Sequence, residues 1–159
     1  MSVQRRFIID LHAPASPYLV TEFIKILASS IHREHLIPVV TRPTGLAAQS
    51  GIPEAWRHAY KNNMMLSILP EIRDAIEIYS PDEVFIFTRS HENLFIEDLE
   101  LDQEKKTILI ILPSGEQSLT KEEAALGKRV FTKLFTKEIN PLTALGIIAT
   151  LVKRILENH

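Results

Sequence analysis

Asp10 and His12 stand two apart at the end of a short apolar run, Phe7-Ile-Ile-Asp-Leu11. A carboxylate and an imidazole on one face of a strand can form an acid/base pair, or they can simply hydrogen-bond the backbone of neighbouring loops. Arg42, Arg57 and Arg89 fall in polar connections, where a guanidinium can bind phosphate bidentately or remain a surface charge. Further along, Gly115 in the loop Pro113-Ser-Gly-Glu-Gln-Ser-Leu-Thr120 permits a tight turn or the close approach of a ligand, although a plain surface turn reads the same way. Lys128, Arg129, Lys133 and Lys137 make a local basic cluster suited to RNA phosphates or to a solvated strand edge. His32 and His35 have the spacing of a metal pair, but no third ligand is evident, so they read as a solvated helix end.

The elements that must position these groups follow from hydrophobic patterning. Phe7–Leu11, Leu36–Thr41, Glu83–Thr88, Thr107–Leu112 and Arg129–Phe135 read as strands. Val84–Phe87 and Ile108–Leu112 are continuously apolar, as expected of central strands covered on both faces. Ser16 with Pro17 starts a helix carrying Tyr18, Leu19, Phe23, Ile26, Leu27 and Ile31 at helical spacing. A second helix is expected to begin near Ser67 or Leu69 and to stop at Tyr79-Ser-Pro81. Thr120-Lys-Glu-Glu123 has the capping-box pattern, and Asn140-Pro141 opens a last helix in which Gly146 implies close packing. The segment 42–63, with two glycines, Pro43 and Pro53, reads as the longest irregular connection. Alternating strands and helices give an α/β fold: a single three-layer domain over residues 1–159, with a mostly parallel sheet of about five strands.

Composition bounds the partners. The chain has 159 residues, 45% apolar and 24% charged, which suffices for one stable core. A net charge of −2 supplies no global attraction to nucleic acid or to an anionic membrane, so such a partner must meet a local patch. With no cysteine there is no disulfide, thiolate nucleophile or cysteine-based zinc site. The apolar run after Arg5-Arg6 is too short for a signal-peptide core or a membrane span, and a soluble cytoplasmic protein is expected. Nucleotide-binding and hydrolase loops of the Gly-x-x-x-x-Gly-Lys-Ser/Thr, Gly-x-Gly-x-x-Gly and Gly-x-Ser-x-Gly types are missing.

The order of the apolar strand ending at Leu112, the Pro113-Ser-Gly-Glu116 loop, the Gly127-Lys-Arg-Val-Phe-Thr-Lys-Leu-Phe135 strand and the Asn140-Pro-Leu-Thr-Ala-Leu145 helix resembles the C-terminal half of SPOUT-class (α/β-knot) RNA methyltransferases. The resemblance implies a C-terminal trefoil knot and a pocket for S-adenosylmethionine without a metal. Its cofactor walls would be Thr88, Leu112, Pro113, Ser114, Gly115, Glu116, Leu134, Phe135, Ile139, Asn140 and Leu142. The same resemblance implies an RNA substrate, tRNA or rRNA, and a homodimer built on the first or last helix. Asp10, His12 and Arg89 are the catalytic candidates. The arginine motif of the ribose-methylating branch has no clear match. Two other readings stay open: a non-catalytic binding or regulatory protein of the same fold, and an unrelated α/β nucleotide-binding protein or hydrolase.

Overall fold

The computed structural model describes residues 4–114 and 119–158. The candidate loop residues Gly115 and Glu116 therefore lie outside the described residues. Seven strands form one sheet: β1 (Arg6–His12), β2 (Leu36–Thr41), β3 (Ser67–Leu69), β4 (Glu83–Phe87), β5 (Leu94–Phe95), β6 (Thr107–Pro113) and β7 (Lys128–Phe131). The two beyond the expected five are the short β3 and β5. Their order is β3-β2-β1-β6-β4-β7-β5, and every neighbouring pair runs parallel. The helices are α1 (Pro17–Ser29), α2 (Ile52–Lys61), α3 (Ile72–Tyr79), α4 (Lys121–Ala124) and α5 (Pro141–Glu157).

Both faces of the sheet are covered, which is why its central strands are apolar throughout. Phe7, Ile9 and Leu11 of β1 pack with Phe23 and Leu27 of α1 and with Leu145, Ile148 and Val152 of α5. Ile8 faces the opposite layer, with Ile72 and Ala75 of α3 and with Leu119 and Leu126 beside α4. The period-2 alternation of β1 thus sends Asp10 and His12 to the α3/α4 face. All three helix starts expected from capping residues are present, Thr120 forming its capping box with Glu123. The Ser16 hydroxyl accepts from the Leu19 amide, and the Asn140 carboxamide accepts from the Leu142 amide, with Pro17 and Pro141 in the first turns.

Three local expectations give way to the structure. Residues 67–69 pair with β2, and α3 begins only at Ile72. Pro70 disfavours helical backbone at Leu69, and Glu71 then caps the helix through a reciprocal bond with Asp74. The segment 42–63 is not irregular: a π-helical turn, Ala47–Gly51, leads directly into α2, with Pro53 in its first turn where a missing N–H costs nothing. Finally, β7 stops at Phe131 because the Glu97 carboxylate takes the Lys133 amide and the Thr132 hydroxyl takes the Leu134 amide, turning the chain out of the sheet.

The placement of β7 between β4 and β5 defines the topology. The chain leaves β4, passes to the far side of β7 to form β5, and returns to β6 beside β4. The last strand and α5 run inside that excursion, as in a trefoil knot. Arg154 of α5 donates to the carbonyls of Ile96, Glu97 and Leu99 and ties the threaded helix to the surrounding loop. Among the described residues, no helix is long and apolar enough to cross a membrane.

Candidate active site at the knot

The carboxyl ends of β6, β4 and β7 open into a cleft of about 510 Å³. Leu112, Pro113 and Ser114 form one wall, and Thr88 and Arg89 form another. Ile139, Pro141 and Ala144, at the start of α5, close the third side, while Phe87, Leu119 and Ala124 supply much of the remaining apolar lining. Of the cofactor walls expected from the sequence, Thr88, Leu112, Pro113, Ser114 and Ile139 therefore converge here. Asn140 and Leu142 do not line the cleft; they are engaged in capping α5. Leu134 and Phe135 also lie outside its lining, exposed beyond the turn that ends β7.

Glu138 is the residue whose role sequence reasoning missed. Its carboxylate accepts from the Thr88 hydroxyl at 2.8 Å and from the Arg89 amide at 2.6 Å, joining the β4 loop to the start of α5. A lone glutamate near a helix start carries no local signal of a bond made 49 residues away. Arg129 also lines the cleft, and its guanidinium donates to the Ser90 hydroxyl at 3.0 Å. The basic cluster is partly spent elsewhere: Lys128 pairs with Glu83 and Lys133 with Asp98. Arg89 and Arg129 remain in the cleft lining, and Lys137 is exposed next to Glu138 in the chain.

Asp10 and His12 belong to a separate, buried chain of polar groups behind the Pro113 wall. The Thr41 hydroxyl lies 2.9 and 3.0 Å from the two Asp10 oxygens and 2.7 Å from His12 Nδ1. His12 Nε2 meets Glu123 at 3.1 Å, and Glu123 in turn pairs with Arg42, which also binds Glu71. Complete burial outweighs the Thr41 bonds and pushes Asp10 up to about 8, so the folded protein holds it neutral at pH 7. Desolvation lowers His12 despite the nearby Glu123 carboxylate. Desolvation of Glu123 is opposed by hydrogen bonds from Thr120 and by Arg42 and His12, which together hold it below the usual carboxylate range. A neutral imidazole facing a carboxylate donates from Nε2 to Glu123, and the Thr41 hydroxyl, which donates to Asp10 and lies against His12 Nδ1, links the two side chains. The network fastens α4, and with it Leu119 and Ala124 of the cleft wall, to the sheet edge. The third loop arginine, Arg57, is exposed on α2 and pairs with Glu54.

The fold is an α/β knot, similar to that of solved SpoU/TrmH-class methyltransferases. A protein solved in work on the 2-OH methylation of C/U34 on tRNA superposes with a TM-score of 0.72 at 16% identity, covering 98% of this chain and 99% of that one. The SpoU methyltransferase AviRb from Streptomyces viridochromogenes, in complex with AdoMet, gives 0.70 at 15% identity over 99% of this chain and 63% of its own. The TrmH/SpoU tRNA modifying enzyme of A. aeolicus gives 0.69 at 14% identity over 99% of this chain and 78% of its own.

By sequence the chain belongs to the family described as RecB-family nuclease (DUF2122), whose model matches residues 45–151. Two relatives carry provisional names as type II restriction enzymes. That of Aeropyrum pernix is 36% identical over 110 residues, 69% of this chain and 70% of the relative. That of Methanocaldococcus jannaschii is 31% identical over 143 residues, 90% of this chain and 93% of the relative. The nuclease description of the family and the methyltransferase names of the solved structures belong to different chemistries.

Proposed function

We propose that the protein binds S-adenosylmethionine in the knot cleft and transfers its methyl group to RNA, with tRNA or rRNA as the substrate class. The observation that carries this reading is the composition of the cleft. It has the size of a small-molecule site, a mostly apolar floor and backbone-rich loop walls. Metal-assisted phosphodiester hydrolysis needs converging carboxylates. Among its described lining residues the cleft offers one, Glu138, whose carboxylate is already engaged by Thr88 and Arg89.

When bound, the cofactor supplies an electrophilic methyl on a sulfonium, so the protein's task is to position and desolvate. Leu112 to Ser114 and Ile139 to Pro141 would hold it, and Phe87, Leu119 and Ala144 would exclude water. Arg89 and Arg129 at the rim would take RNA phosphates, and Arg89 would stabilise an oxygen acceptor as it loses its proton. Asp10 and His12, outside the cleft lining, act on the wall rather than on the substrate. Tyr18 of α1 is exposed and, as part of a homodimer surface, would fit the same reading.

Calorimetric titration with S-adenosylhomocysteine tests the pocket. We expect saturable binding near one site per chain, abolished by Ile139→Trp with little change in melting temperature. Labelled methyl transfer to bulk RNA then tests the activity. Cleavage of DNA or RNA with magnesium, without any binding of S-adenosylhomocysteine, would overturn the proposal in favour of the nuclease description.

A further inference from the structure

At the amino edge of the sheet, opposite the cleft, the structure brings together metal-ligating groups that the sequence keeps apart. His32, Glu34 and His35 lie in the short connection between α1 and β2, and each offers one ligand atom within 4.8 Å of the others. A fourth group arrives from the far end of the chain: Glu157, in the last turn of α5, places Oε1 3.0 Å from His32 Nε2. The objection that no third ligand accompanies the histidine pair no longer holds.

The groups behind these side chains also favour a metal. His35 Nδ1 lies 2.8 Å from the Arg5 carbonyl oxygen, which can only accept, so the ring donates there and carries its lone pair on Nε2, where the exposed Gln4 carboxamide at 3.3 Å is the donor a metal would displace. A backbone carbonyl that fixes the tautomer in this way is the usual support of a metal-ligating histidine. The Glu34 carboxylate already stands 3.7 Å from that Nε2. Lys153 lies 2.5 Å from the other Glu157 oxygen and holds the carboxylate beside His32.

We propose that His32, His35, Glu34 and Glu157 form a binding site for a divalent transition metal, zinc in the first instance, that clamps the end of α5 to the α1–β2 connection. Two imidazoles and two carboxylates match the ligand preferences of zinc; His32, Glu34 and His35 already stand together, and Glu157, which among these three meets only His32, would swing onto the ion to complete tetrahedral bonds of about 2.0–2.2 Å. Because α5 is the element threaded through the knot, such a clamp would secure the chain where it could otherwise withdraw. The proposal is independent of the methyltransferase reading.

Titration of the metal-free protein with Zn²⁺, followed by calorimetry and by melting temperature, tests it. We expect one equivalent bound per chain and a melting temperature that rises with zinc concentration. His32→Ala and His35→Ala should each weaken binding at least tenfold, while His58→Ala, which removes another surface histidine facing a glutamate, should leave it unchanged. Co²⁺ bound to the unmodified protein should show the visible bands of a tetrahedral site, a reading that does not depend on the variants folding. Absence of saturable zinc uptake, or uptake unaltered in the histidine variants, would overturn the assignment.

Discussion

Asp10 is a carboxyl group that the folded chain keeps protonated and the unfolded chain does not. Its folded value of about 8 lies above the unfolded 3.8, so its contribution to stability is fully present below the unfolded value and is lost as pH rises through the folded one. His12, lowered on folding, acts in the opposite sense below its ordinary range. Asp10→Asn removes the first effect while keeping the shape. The variant should gain on the wild type by roughly 1 kcal/mol per pH unit between about pH 5 and about pH 8, which urea unfolding at several pH values would measure. A parallel pH dependence in the two proteins would show that Asp10 ionises freely in the fold. The pairing of Asp10 with His12 was legible in advance, since strand alternation puts both side chains on one face. Nothing in the sequence showed Thr41 as the link or Glu123 as the partner, because both come from other elements.

At the scale of elements, two glycines make opposite predictions. A Cβ on Gly127 would lie 2.8 Å from Val84 Cγ1 and 2.9 Å from the Val84 carbonyl oxygen, so β7 can enter beside β4 only without a side chain. Gly127→Ala should cost about 1–3 kcal/mol through this overpacking, read as a lowered urea midpoint. At Gly146 an added methyl would meet nothing within 4 Å, and the residue sits on the exposed side of α5, which overturns the expectation that it permits close packing within the chain. Gly146→Ala should therefore stabilise by about 1 kcal/mol; destabilisation that depends on protein concentration would instead reveal a second copy against this face. The helix starts at Ser16, Thr120 and Asn140 were legible because capping is a local code. The strands at 67–69 and 94–95 were not, being too short for alternation to register and formed only by pairing with β2 and β7.

For the whole molecule, alternation of strands and helices sufficed to indicate a three-layer parallel α/β domain, while the order of its strands came only from the structure. Periodicity describes what each segment buries and is silent about which segment passes through which. The same division explains the cleft. Its walls at Leu112–Ser114 and Thr88 could be anticipated as strand ends, whereas Glu138 and Arg129 enter it because the knot folds the last strand back between β4 and β5.

That threading gives the chain a memory. Denaturant dissolves hydrogen bonds and packing within moments, but the path of the backbone changes only when the residues from Lys128 onward slip back out through the excursion between β4 and β6. A chain returned to native conditions soon after unfolding should still be threaded and regain its structure quickly. One held unfolded for longer should have to repeat the passage, and its recovery should slow with the time spent in denaturant. An interrupted unfolding experiment with variable delay would record this as a growing slow phase, and a recovery rate independent of the delay would mean that threading is not the slow step.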